Sequence, residues 1–288
     1  MASGRAFARA ALAGNPSDGH GGAVLAVCVP ELAARATATA APDPLSDPPS
    51  ALVDATIARF GCGPCAVRWS TTVPREVGLG GSSAIVTATV RALCALHGRA
   101  LAPDELAEMV LAVEAEDLGI AAGPQDRYAQ AHEGLVLMDF ADARPRVERL
   151  DPALLPPLYL AWRSDAAEAS HAVHGGLRDR AREPDVRAGM ARLAAHARAA
   201  RDALLGGDHE GFAGALDASY DERAALLTLD PRHVAMVRAA RAAGASANYA
   251  GSGGGIVGTL PPDGVEPVAR ALRAFGCEVI APGSRPDD

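Results

Sequence analysis

Three features of the sequence predict an α+β protein in two halves. Strand-like and helix-like stretches mix without strict alternation, a double proline falls near the middle of the chain, and a glycine-rich run precedes a long apolar helix. At 288 residues the chain suits one large or two medium domains with an ample core. Pro156-Pro157 marks the boundary, giving domains over 1–155 and 156–288.

The elements follow in order. Apolar stretches over Phe7–Leu12 and Ala23–Val29 predict strands flanking the loop GNPSDGHGG, and PDPLSDPPS, Pro42 to Ser50, is expected as a proline-rich surface connection. A short helix, ALVDATIARFG, and a strand over Ala66–Val73 come next. The intervening CGPC, Cys62 to Cys65, has thioredoxin spacing. It follows a helix and precedes a strand, the reverse of the thioredoxin order, and no second ligand pair stands at zinc spacing, so a plain turn is expected.

From Ser82, the residues Ile85, Val86, Val90, Leu93 and Leu96 recur at helical spacing, closed by Gly98. APDELAEMVLAVEAEDLG is a second helix with Pro103 in its first turn and Gly119 past its end. EGLVLMDF, RVERL and LYLAWR read as strands. Alanine- and arginine-rich helices run through His171–Leu229 and are expected over the active-site cleft. DPRHVAMVRAARAAG and EPVARALRAFG are further helices, and the chain closes on the strand CEVIAP.

Bulk composition narrows the function. The formal net charge of −8 and the absence of a basic stripe argue against nucleic-acid or anionic-membrane partners. No lysine is present, which closes the Walker-type phosphate loop. No leader peptide and no membrane span are expected, and five cysteines do not suggest a disulfide framework. A cytoplasmic enzyme is the expectation.

The run PREVGLGGSSA, Pro74 to Ala84, carries the most chemistry. A helix start leaves its first amides unpaired and partly positive, and glycines let the backbone close around a ligand. Hydroxyls in the first turn can cap the helix or coordinate a metal. Gly78, Leu79, Gly80, Gly81, Ser82, Ser83 and Ala84 are thus candidates to hold a phosphate without lysine. A structural serine cap would explain the run equally well.

PREVGLGGSSA resembles the second signature of the GHMP kinases, the superfamily of galactokinase, homoserine kinase, mevalonate kinase and phosphomevalonate kinase. ARAALAGNPSDGHGG resembles the first signature and ANYAGSGGG the third, in the right order from Arg9 to about Gly255. The resemblance implies a two-domain fold, with a ribosomal-protein-like βαβ N-terminal domain and a ferredoxin-like α/β sandwich with added helices. It also implies ATP and Mg²⁺. One extra glycine, Gly80 or Gly81, departs from most members, and the short stretch before the second signature leaves the adenine pocket unplaced.

The resemblance assigns roles further on. In VEAEDLGIAAGPQDRYAQ, Glu114 and Asp126 stand at the separation of a metal-binding glutamate and an acceptor-facing aspartate, on a helix and on the loop after it. Glu114 and either Ser83 or Ser82 would hold Mg²⁺, and Asp126 would act as general base or as a positioning group. Arg9 would pair with Asp126. From the residues alone, Glu114 and Glu116 flank the helix's buried stripe on opposite sides, and Glu116 and Asp117 read as solvated charges. Asp18 and Asn15, with Gly251, Ser252 and Gly253, would bind the acceptor, although a plain hairpin also accounts for the first loop.

GNPSDGHGG, GLGGSSAIV and LGIAAGPQDRYAQAHEGLVLMDF are most similar to the glucuronokinases, which phosphorylate the anomeric hydroxyl of glucuronic acid. Arg127 could meet the uronic carboxylate or be a solvated or structural arginine. The alternatives are a kinase for a heptose phosphate, fucose or galactose, and a ligand sensor with the kinase fold but no turnover.

Overall fold

The computed structural model describes residues 1–120, 123–166, 180 and 183–283. Two compact units emerge. The first comprises Met1–Arg9, Cys28–Pro74 and Gly80–Glu133; the second comprises Ala10–Val27, Arg75–Leu79 and the chain from Gly134 onward. Strands β1 (Ala2–Ala13) and β2 (Ala23–Ala40) pair with each other and contribute residues to both units.

In the first unit, Ala34–Ala40 of β2 pairs antiparallel with β4 (Cys65–Thr71), Ala34 opposite Thr71 and Ala40 opposite Cys65. The proline-rich stretch is more than a surface connection. Leu45–Asp47 forms β3, parallel to β4, and Ser46 is buried. Helix α1 (Ala51–Phe60) stops at Gly61, which takes the left-handed conformation. CGPC is a helix-to-strand turn, as the order of its neighbours requires, with both cysteines free thiols.

Helix α2 (Gly81–Leu96) buries Val86, Val90 and Leu93 together with the small residues Ala84, Ala88 and Ala92. Each large aliphatic side chain so enclosed contributes about 1.5–3 kcal/mol. The small ones let β1 approach: a Cβ at Gly4 would come within 2.2 Å of the Ala88 carbonyl oxygen. Helix α3 (Pro103–Ala112) begins with Pro103 in its first turn, and the Glu105 carboxylate accepts the Ala102 amide at 2.7 Å.

Here the structure departs from the sequence reading three times. The α3 helix ends at Ala112 and continues as a single π turn, Val113–Asp117, the wider winding that appears mostly as isolated turns at functional sites. Glu114, expected at the edge of the buried stripe, is fully buried within it. Asp126, expected on a loop, lies in the first turn of α4 (Gln125–His132).

In the second unit, β5 (Leu135–Asp139) pairs antiparallel with Ala23–Val27 of β2 and with β6 (Arg146–Leu150). A separate antiparallel sheet has the order β10-β7-β9-β8, from Glu278–Ile280, Leu158–Trp162, Gly255–Thr259 and Asn248–Tyr249. Helices α5 (Pro184–Leu205), α6 (His209–Leu226), α7 (Pro231–Ala242) and α8 (Val265–Arg273) complete the unit. Prolines open α5 and α7, and Asp208 and Asp230 cap α6 and α7. Tyr159, Ile256, Tyr220, Met236 and Leu272 form the core against the sheet. Of the segment expected over a cleft, residues 171–179 and 181–182 lie outside the described residues.

Candidate active site

The first unit holds Gly80 to Ala84, Glu114 and Asp126, whereas Gly78 and Leu79 of the expected phosphate loop belong to the second. Gly80 stands at the start of α2 in the left-handed conformation, φ +70°, and no side chain caps the helix. A Cβ there would lie 2.9 Å from Gln130 Nε2, 3.3 Å from Arg9 Cγ and 3.4 Å from Asp126 Oδ2. Conformation and space both require glycine. The amides of the first α2 turn have no carbonyl of their own helix to bond, which suits an anion.

The two serines of this turn point to one carboxylate. Ser82 Oγ donates to Glu114 Oε1 at 2.7 Å, and Ser83 Oγ lies 3.0 Å from each carboxylate oxygen of Glu114. Ser83 and Glu114 are buried, whereas Ser82 is half-buried. Among the described residues no group of three His, Cys, Asp or Glu could hold a metal. One carboxylate and neighbouring hydroxyls do fit Mg²⁺, a hard cation that takes one or two carboxylates and completes its shell with phosphate and water.

Asp126 sits beside this cluster, bracketed by Gly80 and Arg9. Arg9 Nε and Nη2 meet Asp126 Oδ1 at 2.7 and 2.6 Å, leaving Oδ2 toward Gly80. The Asp126 side chain is 17% exposed and Arg9 3%. A substrate hydroxyl could therefore reach the carboxylate, which the arginine fixes in orientation.

Arg127, named for an acceptor carboxylate or a structural place, is fully buried. Its Nε donates to Glu114 Oε2 at 2.7 Å, Nη1 donates to the Gly123 carbonyl, and neither partner of the ion pair has exposed surface. That burial leaves nothing to meet an acceptor's carboxylate. Glu116 and Asp117 are not merely solvated: both pair with Arg59 of α1, at 2.9 and 2.5 Å, which ties down the end of the π turn.

In the second unit the three glycine-rich stretches converge. Asn15 Nδ2 donates to the carbonyls of Tyr249 and Gly251, each at 3.2 Å. A Cβ at Gly78 (φ +72°) would come within 2.8 Å of the Ser252 nitrogen and 3.0 Å of the Gly253 oxygen. Asp18 is buried in the 3₁₀ turn Ser17–His20. Asn15 thus spends its amide on the turn rather than presenting it.

Two supporting residues escaped the sequence reading. Gln130 Nε2 donates to the Gly80 carbonyl at 2.8 Å. It lies one helical turn after Asp126, a spacing that becomes informative only once α4 is known. Arg223 donates to the Gly251 and Ser252 carbonyls at 2.7 and 2.8 Å and lies over the Tyr249 ring at 4.7 Å. Among many arginines, nothing in the sequence singles it out.

Residues 50–134 match the family model for the GHMP kinases N terminal domain. The chain is 32% identical over 207 residues to Glucuronokinase 1 of Arabidopsis thaliana, covering 67% of this chain and 56% of that protein. It therefore spans about half the length of the curated relatives it matches. A shorter segment of 68 residues is 40% identical to the D-glycero-alpha-D-manno-heptose 7-phosphate kinase of Campylobacter jejuni, covering 24% and 20% of the two chains.

Among solved structures, the phosphomevalonate kinase of Streptococcus pneumoniae in complex with phosphomevalonate and AMPPNP superposes with a TM-score of 0.83 at 18% identity. That alignment covers 98% of this chain and 100% of the other. The α+β, two-domain architecture is shared across nearly the whole chain, and residues 50–134 carry the N-terminal domain of the GHMP kinases.

Proposed function

We propose that this protein is an ATP-dependent sugar kinase that phosphorylates the anomeric hydroxyl of a uronic acid, giving a uronate 1-phosphate. The observation that carries the reading is the meeting of Ser82, Ser83 and Glu114 beside an uncapped helix start, with Asp126 fixed by Arg9 next to it. The identity to a plant glucuronokinase supports the choice of acceptor. The match to a heptose-phosphate kinase, centred on a shorter segment, makes a sugar phosphate the second reading.

Residues Gly78 to Ala84 receive the phosphates through backbone amides, and no lysine is needed. Mg²⁺ would be held by Glu114 and Ser83, the serine hydroxyl that reaches both carboxylate oxygens; when bound it neutralises phosphate charge. Asp126 accepts the proton of the acceptor hydroxyl, or orients it, as that oxygen attacks the γ-phosphorus. In the second unit Asp18 and the Gly251–Gly253 turn are assigned to the acceptor, with Asn15 holding that turn. The two family domains are assigned to 1–155 and 156–288.

A coupled ADP-release assay over a panel of sugars, with and without Mg²⁺, tests the reading. Turnover on glucuronate but not on galactose, fucose or heptose phosphates is expected. Turnover confined to a heptose phosphate selects the second reading, and none on any sugar points to a sensor.

A further inference from the structure

Glu114 and Arg127 form an ion pair without exposed surface. The guanidinium bonds Glu114 Oε2 through Nε and the Gly123 carbonyl through Nη1, while Nη2 is buried without a partner. The other carboxylate oxygen, Oε1, accepts from Ser82, and Ser83 Oγ lies 3.0 Å from both oxygens. One negative charge, one positive charge and two neutral hydroxyls leave the cluster with no net charge. The adjacent pair of Arg9 and Asp126 is likewise balanced.

A divalent cation entering a neutral enclosure gives up hydration and gains little Coulomb energy in return. A lone buried carboxylate would draw such a cation strongly, but it would also be costly to hold whenever the cation was absent. The guanidinium removes both conditions. It pins Oε2, holds the carboxylate facing the two serines, and supplies the counter-charge itself.

We propose that Arg127 is a positioning residue that makes metal binding conditional on nucleotide. By cancelling the charge of Glu114, it lets Ser83 and Glu114 hold a divalent cation only when nucleotide phosphates bring negative charge to the α2 helix start. The inference rests on the kinase reading above, and what it adds is the cause: the charge of Arg127 withholds Glu114 from a cation that comes alone.

Mn²⁺ serves as the probe, with water-proton relaxation enhancement reporting the protein-bound ion. The arms are wild type, R127Q and R127K, each with and without a non-hydrolysable ATP analogue. In R127Q the glutamine amide can still donate to Glu114, but the charge is gone. R127Q alone is expected to bind Mn²⁺ about tenfold tighter than wild type alone, or more. R127K should follow wild type, and both should bind the ion well only with the analogue.

A merely structural arginine would give the opposite sign, since loosening the site in R127Q weakens the ion's hold. Equal or weaker Mn²⁺ binding by R127Q overturns the proposal, as does tight Mn²⁺ binding by wild type without nucleotide. Should R127Q fail to fold, the wild-type melting temperature decides. A rise with Mn²⁺ only when the analogue is present supports the proposal, and a rise with Mn²⁺ alone overturns it. An inactive wild type that still shows nucleotide-dependent Mn²⁺ binding sinks only the kinase reading. Wild type that binds no Mn²⁺ even with the analogue sinks both.

Discussion

Ser83 Oγ and both carboxylate oxygens of Glu114 stand 3.0 Å apart, although 31 positions separate the two residues along the chain. A helix start and a π turn each deliver one of them. E114Q keeps the shape and removes the charge, and should lower kcat/KM about a hundredfold or more in the ADP-release assay. S83A should cost more than S82A, because only Ser83 reaches both oxygens.

For Asp126 the expected loss is larger if it moves the proton. D126N should reduce kcat by about 10²–10⁴-fold with the fold intact by circular dichroism. Retention within about tenfold would reduce Asp126 to an orienting group.

Gly80 offers a test of backbone geometry. G80A forces a left-handed residue to carry a Cβ against Gln130 and Arg9, and should cost about 1–3 kcal/mol in denaturant unfolding. Nucleotide binding, measured by calorimetry, should weaken with it, since the same turn presents the amides.

The cap of α7 makes stability pH-dependent. Hydrogen bonding from Arg232 holds the Asp230 carboxyl down at about 2 against an ordinary value of 3.8, and the side chain also accepts the Arg232 amide at 2.7 Å. A depressed carboxyl stabilises the fold above its unfolded value and loses that contribution as pH falls. D230A should therefore cost about 1 kcal/mol at neutral pH. The gap from wild type should close as pH drops from about 4 toward 2 in parallel urea titrations.

Thiol reactivity should separate the cysteines. Burial pushes the Cys65 and Cys277 thiols up to about 11, and both are nearly inaccessible. Cys62 is half-buried. Iodoacetamide at pH 8 is expected to label Cys62 well before the other two, read by peptide mass mapping, with all three labelled at similar rates in denaturant.

Much of this molecule was legible in its sequence, and the gaps share a cause. Helix α2 announces itself through apolar spacing and a closing glycine. Helix α4 does not, because its buried residues mix Gln125, Arg127 and Gln130 with Tyr128, Ala129 and Ala131, and no hydrophobic pattern records the inward direction of the polar three. The three-residue β3 hides among Pro44, Pro48 and Pro49, and Arg223 is buried to bind carbonyls. The glycine at the start of α2 was readable because a left-handed turn favours it, whereas Glu114 and Asp126 were singled out by the family resemblance and by no local pattern. The π turn was not legible, since it buries a charged residue, Glu114, that an apolar stripe does not include.

An eight-residue helix that turns three polar side chains inward has little reason to persist in water by itself. Its order is borrowed from the groups it bonds: the Gly80 carbonyl, the Gly123 carbonyl and the Glu114 carboxylate. Hydrogen–deuterium exchange at the amides of Ala129 to His132 would accordingly act as a built-in gauge of whether the loop and the acid are seated, slowing when they lock and quickening when either lets go.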